Sequence, residues 1–273
     1  MCINEHTADW KALVGKLRAA GCVFAEEEAR LLLDAASSVA ELDKMAERRA
    51  AGYPLEHIVG WAEFCGLRIR IDPGVFVPRR RTEFLAGLAA RITRPGDVVV
   101  DLCCGSGALG AALANKVKPI ELHAVDIDPV AVQCARLNIA ADIGYVYEGD
   151  LYEPLPERLC NRVAVIVANA PYVPTGKIEL MPAEARIHEA VIALDGGADG
   201  LDVQRRIVAE ASRWLAPEGV LLVETSERQA KQTAGLFSAY GLFPEQARSD
   251  EHDATVIVGF RADRPVERWS VGG

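Results

Sequence analysis

Beyond Thr82, short apolar runs alternate with helix-patterned stretches, and that alternation narrows the fold more than any other feature of the chain. Val98–Leu102, Glu121–Val125, Val163–Ala168, Val220–Thr225 and Ala254–Phe260 are the clearest runs. A short apolar run bounded by turn signals reads as a strand covered on both faces of a parallel sheet. Helix starts lie between them: Asp128-Pro129 as cap and first-turn proline, and Ser226-x-x-Gln229 as a capping box. Recurrent βα units imply a largely parallel sheet with right-handed crossovers, hence an α/β fold.

In such sheets ligands bind at the carboxyl ends of the strands. The run ending at Ala168 gives way abruptly to Asn169-Ala170-Pro171-Tyr172. This tetrapeptide suits the holding of a planar nitrogen. Asn169 offers an amide oxygen and Ala170 a main-chain carbonyl, whose direction Pro171 restricts by disfavouring the α region for Ala170. Tyr172 supplies a flat face. An ordinary Asn/Pro turn is the competing reading.

The first fifty residues read as three helices: one capped by Thr7 with Trp10, Leu13, Val14 and Leu17 inward, one over residues 26–36 and one over 40–51. Glu26-Glu27-Glu28 reads as a solvated first turn favoured by the helix dipole. Leu67–Ile71 alternates apolar with charged residues, the mark of a half-exposed strand, and Val75–Pro78 is the expected partner across the Asp72-Pro73-Gly74 turn.

Composition sets limits on partners. A net charge of −9 argues against a polyanion, since duplex binding usually needs a basic face. No basic-then-apolar leader opens the chain and no run approaches bilayer-spanning length, so a cytoplasmic protein away from membranes is expected. Seven scattered cysteines without a CxxC pair point to reduced, mostly buried thiols, with no metal site expected.

Asp101-Leu102-Cys103-Cys104-Gly105-Ser106-Gly107 joins a buried strand to a helix start. Gly105-x-Gly107-x-x-Gly110 matches the dinucleotide fingerprint nominally, yet Asp101 is a poor neighbour for a pyrophosphate. An acid there suits a ligand with ammonium and sulfonium groups, which Gly105 and Gly107 would let the backbone approach. Asp126 closes the next strand, where an acid can accept from both ribose hydroxyls. Asp150 could accept from an adenine amino group, with Leu151 over the ring. Each aspartate alone is an ordinary cap or turn residue; three in succession, each after a strand, favour a nucleoside-bearing cofactor.

Together, Asp101–Gly107, Asp126, Asp150 and Asn169–Tyr172 resemble the class I S-adenosylmethionine-dependent methyltransferases. The nearest branch is that of the HemK/PrmC protein-(glutamine-N(5)) methyltransferases, which modify peptide release factors. Tyr53–Gly60, Phe64–Leu67 and Pro73–Arg79 with Thr82-Glu83 are similar to that branch's linker hairpin, and Glu189–Ala193 with Gly196–Leu201 to its loop after Asn-Pro-Pro-Tyr. The resemblance implies a Rossmann-like, mostly parallel seven-stranded sheet. It divides the chain into a helical substrate-recognition domain (1–62), a β-hairpin linker (63–82) and a methyltransferase domain (83–273). It implies S-adenosyl-L-methionine as cofactor, with S-adenosyl-L-homocysteine as product, held by Asp101, Cys103, Gly105, Gly107, Asp126, Ile127, Asp150, Leu151 and Asn169. It further implies a protein substrate such as a release factor, docked by Arg79, Thr82 and Glu83 as well as Asn169 and Tyr172. The chain departs from the family at Ala170 and Ala190 (both normally proline), at Cys103 (normally glycine) and at Arg80-Arg81 (normally Pro-Asp).

His188 and Glu189 read as surface or lid residues rather than a catalytic base, and His57 and His123 as structural. Three functions stay open: a protein-glutamine methyltransferase, an N-methyltransferase of a metabolite or nucleobase amine, and a cofactor-binding partner of translation without turnover.

Overall fold

The apolar runs do pair as parallel strands. The structure, a computed structural model, describes residues 8–261. It opens with α1 (Ala8–Ala19), α2 (Ala25–Ala35), α3 (Val39–Ala50) and the short α4 (Leu55–Val59). Trp10, Leu13, Val14 and Leu17 of α1 meet Ala29 and Leu32 of α2 and Leu42 and Met45 of α3 in a core of their own. These are the faces that a 3.6-residue period selects. Ser38 caps α3, its hydroxyl accepting from the Glu41 N–H; Thr7, expected to cap α1, lies outside the described residues. The acidic first turn of α2 is less solvated than expected, because Glu28 pairs with Arg49 of α3 at 2.5 Å.

The hairpin departs from expectation. β1 (Trp61–Phe64) pairs antiparallel with β2 (Leu67–Arg70), so the partner precedes Leu67–Arg70 instead of following it. Cys65 and Gly66 have φ of 51° and 74°. Left-handed geometry at both central residues makes a type I′ turn, whose twist matches that of the strands it joins. Residues 75–78 run instead along the chain after the tetrapeptide: the Ala190 N–H donates to the Gly74 carbonyl at 3.1 Å.

The remaining elements are α5 (Thr82–Ile92), β3 (Val98–Leu102), α6 (Ala108–Lys116), β4 (Glu121–Asp126), α7 (Pro129–Asn138), β5 (Gly144–Glu148), β6 (Val163–Ala168), α8 (Ala183–His188), α9 (Asp202–Trp214), β7 (Leu215–Thr225), α10 (Ala230–Ala239), β8 (Phe243–Ser249) and β9 (Ala254–Phe260). Seven strands lie in the order β5-β4-β3-β6-β7-β9-β8, with β9 antiparallel to both its neighbours and the other pairs parallel. β8 carries no apolar run and contains Pro244, which is tolerable because it forms a sheet edge. Side chains alternate across the sheet. Val99, Val165, Val167 and Leu222 face α5 and α6, while Val100, Leu102, Ile166 and Leu221 face α9 and α10.

The expected capping box does not form. α10 starts at Ala230, and the Ser226 hydroxyl donates to the Gln229 side-chain oxygen rather than accepting a backbone N–H. His57 and His123 are buried and bonded, His57 to the Val75 carbonyl at 2.8 Å and His123 to Glu121 and the Tyr147 hydroxyl. Of the six described cysteines, all free, only Cys22, Cys104 and Cys134 are buried. Among the described residues no helix is long and apolar enough to cross a membrane.

Chain connections leave β3 and β6 in opposite directions, so the crevice at their carboxyl ends is the topological switch point. Asp101 stands level with Ala124 of β4 and Val167 of β6, which brings three strand ends to one rim.

Candidate active site

A cavity of about 200 Å³ opens at that rim. Asp101 reaches it from inside β3, with only 1% of its surface exposed, and its Oδ2 accepts the Gly110 N–H at 2.9 Å. Burial pushes this carboxyl up to about 7, against the pull of the Gly110 bond. The ordinary value is 3.8, so the stability that the raised carboxyl contributes is complete below 3.8 and lost as pH rises through about 7. The melting temperature of the ligand-free protein should therefore fall between about pH 4 and 7, and Asp101→Asn should flatten part of that fall. An unchanged slope in the variant would show that Asp101 does not titrate there.

Asp126 ends β4 and accepts from the Gly105 N–H at 2.8 Å and the Asp128 N–H at 3.0 Å. Burial raises its carboxyl while these two bonds oppose the shift. Each oxygen thus has one backbone donor and keeps a lone pair for a ligand. Cys103 has φ 55°, a left-handed conformation that explains the family's glycine there and costs a side chain about 1–2 kcal/mol. Burial holds its thiol well above its ordinary value, which keeps it neutral.

Gly107 does not line the cavity as expected. A Cβ on it would stand 2.9 Å from Ile139 Cδ1 and 3.2 Å from Ala135 Cβ, so it serves the close packing of α7 on the start of α6. Ile127, Asp150 and Leu151 do line it, but Asp150 is shared with Arg206 of α9 at 2.7 Å. Arg206 was not legible as a site residue, being one of several charges on an amphipathic helix.

Asn169 and Pro171 line the same cavity, with Ala170 buried beside them. Asn169 Nδ2 donates to Thr82 Oγ1 at 3.2 Å, which orients the amide and leaves its oxygen without a donor among the described residues. Tyr172 departs from expectation. It lines a neighbouring cavity with Arg81 and Gln229 rather than the first one. Gln229 Nε2 donates to its carbonyl at 3.1 Å, and burial beside Glu224 pushes the phenol up to about 12.

Behind the tetrapeptide lies an acid that no sequence motif marks. Glu224 of β7 is 2% exposed, and its Oε2 has no hydrogen-bond partner. An unsatisfied buried polar atom costs about 1–3 kcal/mol. Burial pushes this carboxyl up to about 7, with the Thr82 hydroxyl, Arg81 and the Tyr172 hydroxyl opposing. The available signal was an acid inside the apolar run of β7.

Of the three expected docking residues, Thr82 lines the cavity and the other two do not. Arg79 Nη2 forks onto Glu189 at 2.6 and 2.7 Å, and Glu83 accepts the Cys65 N–H at 2.9 Å, tying down the hairpin turn. Glu189, expected at the surface or in a lid, is buried beneath Arg79, while His188 packs at a tilt on Tyr53 with ring centroids 4.1 Å apart. The chain from Pro174 to Asp195 is therefore a bridge. Ala190, Ile192 and Ala193 wall the cavity, and Glu184 meets Arg49 of the helical bundle at 3.6 Å.

An acid at the end of β3, before a turn whose backbone is open to the cavity, disfavours a pyrophosphate and suits a cationic ligand. With this strand order it places the chain among the Rossmann-like S-adenosylmethionine-dependent methyltransferases. A family profile described as "Methyltransferase small domain" matches residues 66–199. The release factor glutamine methyltransferase of Geobacter sulfurreducens is 37% identical over 219 residues, spanning 80% of this chain and 76% of that protein. The chain belongs to the release factor glutamine methyltransferase family. The 4-amino-L-phenylalanine/4-methylamino-L-phenylalanine methyltransferase of Streptomyces pristinaespiralis is 36% identical over 201 residues, 71% of this chain and 68% of that one. A solved methyltransferase from Pyrococcus furiosus shares the fold with a TM-score of 0.54 at 18% identity, covering 72% of this chain and 89% of its own.

Proposed function

We propose that this chain transfers the methyl group of S-adenosylmethionine to the side-chain amide nitrogen of a glutamine in a protein substrate, a peptide release factor. One observation carries the reading: Thr82 takes the Asn169 NH₂, so the amide oxygen is the group left to accept from an incoming NH₂.

An amide nitrogen is a poor nucleophile, and a sulfonium methyl is already electrophilic when the cofactor is bound. The protein's work is then positioning. Asn169 Oδ1 and the Ala170 carbonyl accept the two N–H bonds of the glutamine, which fixes the direction of the nitrogen lone pair. No general base is required, because methylation makes the nitrogen acidic enough to lose a proton to water. Tyr172 supports the tetrapeptide from its far side rather than covering the amide.

The lining fits the cofactor. Asp126 has lone pairs for two ribose hydroxyls, Asp101 faces the cationic end, and Asp150 with Leu151 and Ile127 frames the base. Asp126→Ala is expected to weaken S-adenosylmethionine binding by about 100-fold while sparing kcat at saturation, since hydrogen bonds to a charged group contribute about 1.5–3 kcal/mol each. Calorimetry checks it, and an unchanged Kd would remove Asp126 from the ribose site. Residues 1–62 are assigned to substrate recognition and 63–82 to the linker, ahead of the catalytic domain.

The amino-phenylalanine relative favours one further reading, in which the acceptor is a small aromatic amine. Incubation with methyl-labelled cofactor and a panel of release factors, each also with its glutamines changed to alanine, and of amino-acid amines separates the two. Label on a release factor glutamine supports the proposal; label only on the amines replaces it.

A further inference from the structure

Glu224 is the buried ionisable group that the mechanism above leaves unused. It stands on β7 one residue beyond Val223, the partner of Ala168, and so directly beside the tetrapeptide. It lines neither cavity, so it touches no substrate. The groups that face it are few. They are the Thr82 hydroxyl at the start of α5, Arg81 in the turn before it, and the Tyr172 hydroxyl after β6. From α9, Gln204 reaches only its main-chain carbonyl, and its partner across β9 is the apolar Val256.

The Thr82 hydroxyl is a two-way connector. It accepts from Asn169 Nδ2 with a lone pair, which leaves its own proton to be donated elsewhere. A carboxylate on its other side fixes that direction. Were the Asn169 amide to flip, the hydroxyl would have to turn its proton toward Asn169 and away from the Glu224 carboxylate, whose Oε2 already lacks a partner in a place water does not reach. We infer that Glu224 is a positioning residue: by accepting the Thr82 proton it makes Asn169 present its oxygen, and not its NH₂, to the acceptor nitrogen. Its second partner, Tyr172, extends the same control to the far end of the tetrapeptide. This inference rests on the reading of Asn169 as the acceptor-binding residue.

The experiment compares methyl transfer by Glu224→Leu, Glu224→Gln, Thr82→Val and Asn169→Ala across pH, with cofactor affinity from calorimetry. Glu224→Leu should lower kcat by about 100-fold, the scale of a small misplacement of reacting groups, with the Kd for S-adenosylmethionine unchanged. Glu224→Gln keeps an acceptor oxygen and should recover to within about tenfold of wild type. Wild-type kcat should decline below about pH 7 as the carboxyl takes a proton, and that decline should vanish in Glu224→Gln. Thr82→Val, which leaves the carboxyl intact, should reproduce the Glu224→Leu defect, and the double variant should be no worse than either. Thr82→Val also decides the matter if Glu224→Leu does not fold. Full activity in Thr82→Val, or an acid limb that persists in Glu224→Gln, overturns the relay. Retained turnover in Asn169→Ala would instead overturn the underlying site assignment.

Discussion

Asn169→Ala is expected to lower kcat for methyl transfer by on the order of 10³-fold and to leave cofactor affinity within about threefold. The two halves of this expectation have separate origins. On the proposed function the Asn169 amide oxygen is the side-chain acceptor for an incoming NH₂, and its loss would leave the nitrogen free to rotate away from the line of attack. The cofactor, on the proposed function, is held mainly from β3, β4 and β5, by Asp101, Asp126 and the Asp150–Leu151 turn, none of which hydrogen-bonds to Asn169. A single-turnover assay with labelled methyl groups, run beside calorimetry, reads both quantities. Loss of binding in step with loss of turnover would mean that Asn169 belongs to the cofactor pocket and not to the acceptor site.

Arg79→Ala should destabilise the fold by about 2–4 kcal/mol, because it strips the counter-charge from a buried carboxylate. Glu189 is 5% exposed, and its remaining protein donor is the Val77 N–H at 3.3 Å. The figure sits below the full cost of breaking a buried pair because Arg79 itself is about a third exposed. For a chain this size that corresponds to roughly 5–12 °C in melting temperature. Glu189→Gln added to Arg79→Ala should return most of the loss, since a neutral amide needs no counter-ion. A variant melting within a degree or so of wild type would show that Glu189 is satisfied by water or carries a proton.

Arg79 also illustrates what the sequence could and could not disclose. The family resemblance put it against substrate, yet its partner is a glutamate 110 residues away. The parallel strands, the acids at their ends and the bend at Asn169 were legible because each is written locally, as an apolar run closed by a polar residue. The β1–β2 pairing was legible in principle from Cys65-Gly66, but Asp72-Pro73-Gly74 is the louder turn signal. Glu224, Arg206 and Gln229 were not legible as site residues, since their meaning depends on which strand ends and helix faces converge. Gly107 was expected to let a cofactor approach the backbone, whereas what packs on it is Ile139 and Ala135 of the chain, because spacing fixes a backbone bend and not what packs against it.

The bridge from Pro174 to Asp195 has a mechanical consequence. Through Glu184 it grips the bundle, through Glu189 the Val77–Arg79 segment that follows the hairpin, and through Ala190, Ile192 and Ala193 it forms one side of the chamber. A load applied to the bundle by a large visiting protein would reach that side through two ionic ties, with little slack between them. On the proposed function, recognition at a distance and aim at the nitrogen would thereby be geared together, so a partner seated askew would present its amide askew as well.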